Sequence, residues 1–581
     1  MIAGALAVLP AAALGLAVLV DRGEDGALRP PWFSLALFVS DPFARTCVRN
    51  SLIFAVVVTA ASLVLGVGVG MAVGRSRSWG GGTLRAMLAS MLAASPACLA
   101  LGTVNLVAGR GAHPMPESWR AAACGGLSLE SWNSLPAWGW WAWSTLPAAV
   151  ALVALATGAG VDRVGATWLD AARLSGAGRL GAWYRVTWPI IRPRVARAAA
   201  IVFPMALLEP GAPLILGLRR TLAYQIVESA ARPAPFPRLA VWTAMAAVIS
   251  FAARWLLRTW GGPLRLAEAA TNGLVPGLAV LPAPRGAAPS AAIRIAALTF
   301  AVIAGWLPAV GLVAVVVGAN LAGVAGVGSL HEWVRRLVGP PVPHLVAESI
   351  WLGIEAGAVV LALGWMLRPD AGSRLGATFR SRFAGRLAAM PPLVQGVGIL
   401  ALPGLLIALA TAMEHAVPTG SGLARYVVAV AGELDAARNP RAILAAAVAL
   451  SVGSRLLPRW RLVVQANPLE TRTGLDAAIL AGASRARARG LASLRPRQWI
   501  SAFLLAALLA ATNLAPALLF TTWADIRTIG PGLLVLADEP DDARLRSSLL
   551  AVGVILANLA ALGLARLGPA PPPEWDGDRV A

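Results

Sequence analysis

The sequence predicts an all-α fold, a polytopic transmembrane helical bundle of about 12 spans. Of the 581 residues, 58% are hydrophobic and only 13% are charged, whereas soluble chains carry about 25% charged residues. Apolar runs of bilayer length recur along the whole chain. A spanning helix needs about 20 mostly apolar residues, because its backbone polar groups must pair with each other in lipid. These runs indicate a multi-pass membrane protein.

The apolar runs, taken in order, form two sets of six. The predicted spans are 2–20, 50–74, 84–109, 137–157, 195–217 and 239–258, then 293–321, 346–367, 387–412, 441–458, 499–521 and 545–566. With both termini in the cytoplasm, arginines outnumber acids in the inside connections, as the positive-inside tendency requires. The net charge of +21 therefore reflects topology rather than nucleic-acid binding.

The two sets define the predicted domains. The first lobe covers 1–258 and the second covers 293–568. Between them, residues 259–292 are rich in Gly, Pro and Ala and predict a cytoplasmic linker. The proline-rich, polar tail 569–581 predicts a disordered terminus.

All 49 basic residues are arginines. A nucleotide-binding P-loop needs a lysine on the phosphates, and Schiff-base catalysis needs one as nucleophile. This chain can supply neither. If ATP drives the protein, another chain must bind it. The three cysteines show no CxxC spacing and indicate no zinc site.

A short segment occurs twice, 306 residues apart. Leu169–Ala177 reads LDAARLSGA and Leu475–Ala483 reads LDAAILAGA. Each copy lies between the fourth and fifth span of its set, in a basic inside connection. The acidic residue is expected to start a short helix, with its carboxylate near the helix N-terminus. The glycine permits a sharp turn into a second helix.

These two segments resemble the cytoplasmic EAA loops of ATP-binding cassette (ABC) importer permeases, and we take them as residues 168–190 and 474–497. In the first copy the matching residues are Asp170, Ala171, Ala172, Gly176, Val186, Trp188 and Pro189. In the second copy they are Asp476, Ala477, Ala478, Gly482 and Leu494. Both copies carry Asp where Glu is usual. The second has Arg495 at the terminal proline position, with Pro496 one place late.

The resemblance implies a fused two-lobe permease of the ferric-iron and thiamine type. Leu208–Gly217, with its Gly-Ala-Pro break, resembles the fifth span of that branch, and Arg49–Leu52 resembles the start of its second span. A separate homodimeric ATPase, holding ATP and Mg, would dock on the two loops, and an extracytoplasmic binding protein would deliver the solute. The chain would lie in the bacterial inner membrane, catalyse no reaction and bind no cofactor. Ferric iron is the leading solute, followed by thiamine, phosphonate or another small solute.

Two acids fall inside apolar runs, where an ionised carboxylate is costly. Glu209, beside Gly211 and Pro213, and Glu355 are candidates for the translocation pathway. Alternatively, Glu209 is a helix-end acid that snorkels to the membrane surface or pairs with an arginine such as Arg219 or Arg220. The tryptophans of 132–143 predict an aromatic belt at the outer membrane face, or a docking surface for the binding protein. The four scattered histidines indicate loop residues rather than metal ligands.

Three other functions remain open at the sequence level. A secondary transporter driven by an ion gradient would need a cation site built from membrane-embedded carboxylates. A membrane-embedded enzyme would need a clustered nucleophile, acid–base pair or metal set, and none is visible in the sequence. A degenerate permease without transport activity would keep the loops and lose the coupling.

Overall fold

The computed structural model is all-helical over the residues it describes. These are residues 14, 33–74, 79–107, 135–161, 164, 166–231, 236–262, 305–317, 342–366, 391–403, 406–407, 410, 421–433, 440–456, 496–513, 517–519, 528–538 and 542–566. Within them, six helices are long and apolar enough to cross a membrane, or seven if one bent pair counts as a single span. The chain is therefore a multi-pass helical membrane protein by helix length and composition.

The helices of the first half precede residue 262. They are α1 Phe33–Ser40, α2 Pro42–Gly74, α3 Trp79–Met91, α4 Pro96–Val107, α5 Leu135–Val161, α6 Ala166–Leu174, α7 Arg179–Ala182, a π-helical turn Trp183–Thr187, α8 Trp188–Leu208, α9 Gly211–Ile215, α10 Leu222–Ala231 and α11 Phe236–Gly261.

The second half contributes eight further described helices. They are α12 Gly305–Val317, α13 Val342–Met366, α14 Pro392–Leu400, α15 Ser421–Glu433, α16 Pro440–Leu456, α17 Pro496–Ala511, α18 Ile529–Asp538 and α19 Asp542–Arg566. Of the predicted spans, 2–20 lies outside the described residues except for Leu14. Six others, 84–109, 293–321, 346–367, 387–412, 441–458 and 499–521, are described only in part.

The prediction of one continuous span over 84–109 is wrong, because the structure divides this run into two helices. Helices α3 and α4 meet at an angle of 84°. Pro96 cannot donate a backbone hydrogen bond and disfavours helical conformation at Ser95 before it. Ser95 instead caps the new helix, its Oγ accepting the backbone N–H of Cys98 at 3.2 Å. The apolar run is continuous in sequence, whereas the backbone is not.

Corresponding helices have corresponding neighbours in the two halves. In the first half α2 packs against α5 and α8, and α8 packs against α11. In the second half α13 packs against α16 and α17, and α17 packs against α19. Between the halves the contacts are reciprocal, since α11 contacts α14 while α19 contacts α4.

The contact between the halves combines polar pairs with a small apolar core. The Asn105 amide donates to Ser548 Oγ at 3.0 Å, and the Asn558 amide donates to the Ala93 carbonyl at 2.9 Å. Buried Leu99 of α4, Leu312 of α12 and Leu533 of α18 belong to one hydrophobic cluster. This contact between the halves joins elements that lie more than 200 residues apart in sequence.

The predicted aromatic belt is wrong for Trp141. Its side chain is fully buried and stacks on Phe54 of α2, with ring centroids 3.4 Å apart. Trp138 packs against both rings. Trp141 therefore belongs to the interior between α2 and α5. The partner ring on α2 favours this burial, although the buried indole N–H of Trp141 has no hydrogen-bond partner among the described residues.

Candidate coupling segment and helix break

The first repeated segment folds as two short helices joined by a tight turn. Helix α6 begins at Ala166, four residues before Asp170. Asp170 therefore lies within the helix and not at its N-terminus, which corrects the sequence expectation. The preceding residues Ala166–Leu169 are compatible with helix, so the helix extends backwards beyond the repeated motif. Asp170 is exposed and lies 3.5 Å from Nη1 of Arg173, one turn away.

Gly176 ends α6 in a left-handed conformation, with φ of +83°. The backbone N–H of Ala177 donates to the Ala172 carbonyl at 3.0 Å, and that of Gly176 donates to the Arg173 carbonyl at 2.9 Å. This pair of bonds is the Schellman motif of helix C-termini. A Cβ at Gly176 would meet no atom within 4 Å. The turn thus requires glycine for its backbone conformation and not for lack of space.

The turn presents apolar side chains to the outside. Leu174 is 89% exposed before the turn, and Leu180 is 84% exposed after it. Tyr184 follows at 67% exposure. We call Leu174, Leu180 and Tyr184 the elbow surface. Leu174 precedes the candidate span Leu180–Ile215, and the other two residues lie at its start. Exposed large apolar side chains at the end of a span, in a basic connection, suit contact with a partner protein.

Tryptophans fasten the downstream end of the elbow to the helical bundle. Trp183 Nε1 donates to Sδ of Met71 on α2 at 3.2 Å. The Trp183 ring stacks on Trp188 at 5.5 Å, and Trp188 meets the edge of Trp260 on α11 at 6.0 Å. Of the other predicted loop residues, Val186 is half-buried and Pro189 is exposed. The segment is therefore exposed at the turn, where the elbow surface lies, and anchored to the bundle at Trp183 and Trp188.

The elbow continues into the bundle without a loop. Helix α7, the π-helical turn and α8 follow one another directly, and with α9 they count as one candidate span, Leu180–Ile215. The 21 residues of α8 rise about 31 Å. The backbone is thus helical from the elbow to the far end of α8, although Pro193 and Pro204 lie inside α8, and prolines are positions where helices bend.

At that far end the helix breaks at Glu209. Glu209 has an extended backbone, with ψ of 113°. Its Oε1 accepts the N–H of Gly211 and its Oε2 accepts the N–H of Ala212, both at 3.0 Å. The carboxylate therefore caps α9, and this arrangement replaces the expected pairing with Arg219 or Arg220. Pro213 lies buried within α9, and its carbonyl accepts the N–H of Leu218 at 2.8 Å.

Glu355 takes part in an ion-pair network that was not predicted from the sequence. Nε of Arg441, on α16, lies 3.2 Å from Glu355 Oε1, and its Nη2 lies 3.5 Å from Glu348 Oε2. The guanidinium also lies over the ring of Trp351, 5.8 Å from its centroid. The available signal was an arginine at the start of an apolar run, together with two acids seven residues apart.

Two short helices are held to the bundle by equivalent serines. Ser51 Oγ, on α2, accepts the first N–H of α10, from Leu222, at 2.8 Å. Ser349 Oγ, on α13, accepts the first N–H of α18, from Ile529, at 2.7 Å. Both short helices are ten residues long. The match aligns α2 with α13 residue by residue.

Several predicted site residues lie outside the described part of the chain. Asp476, Ala477, Ala478, Gly482 and Leu494 are among them, so the structure describes only the first of the two loops. His344 is exposed on α13. Within the described ranges, no three His, Cys, Asp or Glu side chains come close enough to hold a metal ion.

Comparison with known proteins finds no match. No protein-family model, no curated protein and no solved structure matches this chain.

Proposed function

We propose that this chain is the two-lobe permease subunit of an ABC importer, moving a small solute inward. A separate ATPase pair would dock on the elbow surface and on its repeat at 474–497. Closure of that ATPase would move α8 and thereby the helix break at Glu209. The chain itself would catalyse no reaction.

The observation that carries the proposal is the elbow surface. Leu174, Leu180 and Tyr184 leave a large apolar area exposed in a basic connection. Burying that area against a partner is favourable by about 25 cal/mol per Å². The same segment continues into α8 through the Trp183–Trp188 stack. An exposed apolar surface on a segment that is helically continuous with the bundle is what mechanical coupling between two chains requires.

The correspondence of the two halves supports a pseudo-symmetric arrangement of 12 spans. The serine caps at Ser51 and Ser349 are equivalent, and the contacts of α11 with α14 and of α19 with α4 are reciprocal. Internal repeats of this kind, facing each other around a central path, are common in transporters.

A gradient-driven secondary transporter is a weaker proposal. It would need embedded carboxylates whose oxygens can take up an ion. Both oxygens of Glu209 already accept backbone amides, and one oxygen of Glu355, Oε1, pairs with Arg441. Partnered carboxylates of this kind suit structural roles better than a cation site.

Solute capture would belong to an extracytoplasmic binding protein. A permease that receives its solute in this way needs no tight site of its own. Ferric iron is the first solute to test, followed by thiamine and phosphonate. Loss of uptake with ATPase binding intact would indicate a degenerate permease.

The test is recovery of an ATPase with this chain from native membranes. We expect a nucleotide-hydrolysing subunit to co-purify, and Tyr184→Asp to reduce its recovery about tenfold, because a charged group cannot enter an apolar groove. Tyr426→Asp is the matched control, since Tyr426 is 68% exposed on α15, in a connection expected on the opposite side. Absence of any ATPase, or equal loss in both variants, contradicts the proposal.

A further inference from the structure

The described parts of the two halves differ in how one equivalent pair of helices meets. In the first half the seam between α2 and α5 is aromatic, with Phe54 stacked on Trp141. In the second half the seam between α13 and α16 is ionic. We call Glu348, Trp351, Glu355 and Arg441 the ionic seam.

The two capping serines, Ser51 and Ser349, set the alignment of α2 with α13. Aligning Ser349 with Ser51 places Trp351 at the position of Ile53 and Glu355 at the position of Val57. Ile53 and Val57 are each 55% exposed, as apolar side chains facing lipid are expected to be. The corresponding face of α13 bears two carboxylates and a tryptophan that is 52% exposed.

By its position on α13, Glu355 lies deep in a candidate span, whereas its partner Arg441 is the second residue of α16. Glu355 is the fourteenth residue of the candidate span Val342–Leu363, about 20 Å from its start and about 12 Å from its end. A glutamate side chain is too short to span either distance. A carboxylate at that depth is strongly unfavourable when it faces hydrocarbon. The exposed part of the Glu355 side chain must therefore contact something polar.

One carboxylate oxygen also lacks a protein donor. Oε2 of Glu355 is buried and has no hydrogen-bond partner among the residues that the structure describes. Buried carboxylate oxygens are ordinarily satisfied by protein or by water. With two acids against one arginine, the seam carries a formal charge of −1.

We propose that the ionic seam borders a water-filled cleft between α13 and α16, that the cleft favours cations over anions, and that the corresponding positions on α2, Ile53 and Val57, face lipid. The halves are then unequal, and the polar wall belongs to the second. If the chain transports a solute as proposed, the ionic seam forms part of the wall of the solute path. In that position it favours a cationic solute over an anionic one such as a phosphonate.

The test measures thiol modification in open membrane fragments, where both faces are accessible. In a chain with Cys47, Cys98 and Cys124 replaced by alanine, single cysteines are introduced as Trp351→Cys and, as its matched control, Ile53→Cys. Two membrane-impermeant methanethiosulfonates of similar size are used, one trimethylammonium and one sulfonate. Their rates are normalised to those on a free thiol in solution.

We expect Trp351→Cys to react and Ile53→Cys to remain unmodified. The normalised rate for the cationic reagent should exceed that for the anionic reagent about five- to tenfold, since one net charge acts on both reagents with opposite sign. Adding Glu355→Gln should remove most of that preference. If Trp351→Cys does not elute as a single species in detergent, Glu355→Cys and Val57→Cys replace the pair for the accessibility comparison.

No reaction at the α13 cysteine, or equal reaction at the two cysteines, overturns the cleft. Reaction without charge preference overturns its selectivity for cations. The outcome is independent of the ATPase experiment: a cation-selective cleft in a chain that recovers no ATPase would retain this inference and remove the coupling proposal.

Discussion

The hydroxyl of Ser349 accepts the backbone N–H of Ile529 at 2.7 Å, 180 residues further along the chain. This bond ties the first turn of α18 to α13. The Ser51–Leu222 bond does the same for α10 and α2. The N-terminal amides of a helix have no partner within the helix itself, so each serine satisfies a group that the bundle would otherwise bury without a partner.

Removing the acceptor should therefore weaken the bundle. Ser51→Ala leaves a buried N–H unpaired and is expected to lower the free energy of unfolding by about 1–3 kcal/mol. Ser40→Ala is the control, because the Ser40 hydroxyl only donates to the nearby Leu37 carbonyl on an exposed helix end. Thermal unfolding in detergent measures the difference. Equal stability of the two variants would contradict the capping role.

The elbow turn can be tested with two glycines two residues apart. A Cβ at Gly176 or at Gly178 would meet no atom within 4 Å, but only Gly176 has positive φ. Gly176→Ala should cost about 1–2 kcal/mol in the turn and, if the proposed coupling holds, reduce solute-stimulated ATP hydrolysis by the complex with the proposed ATPase. Gly178→Ala should leave hydrolysis near the wild-type level. A functional Gly176→Ala protein, with uptake unchanged, would argue against a coupling role for this turn.

The crossing of α4 and α12 depends on glycine. A Cβ on Gly102 would overlap the Pro308 carbonyl oxygen, and one on Gly311 would overlap the Gly102 carbonyl oxygen. Gly102→Ala should therefore lower the free energy of unfolding by about 1–3 kcal/mol through overpacking. Gly68→Ala, within α2 and in open space, should be neutral or stabilising by up to about 1 kcal/mol. Unfolding midpoints in the same detergent compare the two; a neutral Gly102→Ala would mean that the helices do not cross this closely.

Two substitutions at Glu209 distinguish a cap from a solute ligand. Glu209→Gln keeps one acceptor oxygen and loses the other, so we expect a loss of about 1 kcal/mol in stability and most of the uptake retained. Glu209→Ala leaves two amides without an acceptor and should cost about 2 kcal/mol or more. Uptake assays in vesicles, beside unfolding curves, separate the roles. Abolished uptake in a normally folded Glu209→Gln protein would point to a ligand instead.

Arg441 should matter more to stability than the exposed arginine of the elbow. Arg441→Gln removes the partner of two half-buried carboxylates and is expected to cost about 1–2 kcal/mol. Arg173→Gln breaks a pair whose side chains are both about half exposed, so its effect should stay within about 0.5 kcal/mol. A double-mutant cycle with Glu355→Gln measures the coupling directly. A coupling energy near zero would show that the ion pair does not stabilise the fold.

The sequence alone predicted the features that depend on local pattern. The long apolar spans follow from hydropathy, because lipid leaves the backbone no alternative to helix. The turn at Gly176 and the break near Gly211 and Pro213 follow from residues with restricted or unusually free backbones. Apolar composition alone did not reveal the 84° bend before Pro96, since a continuous hydropathic run does not report the backbone direction.

Only the tertiary structure decided which distant side chains meet. It assigned Glu209 to the amides of α9, Glu355 to Arg441, Trp141 to Phe54 and the two serines to their short helices. Apart from the Glu209 cap, each pair joins residues on different helices, and its formation depends on how those helices cross. Hydropathy indicates that a face is buried or apolar. Which side chain it contacts depends on how the helices pack, and that packing depends on segments far apart in the chain.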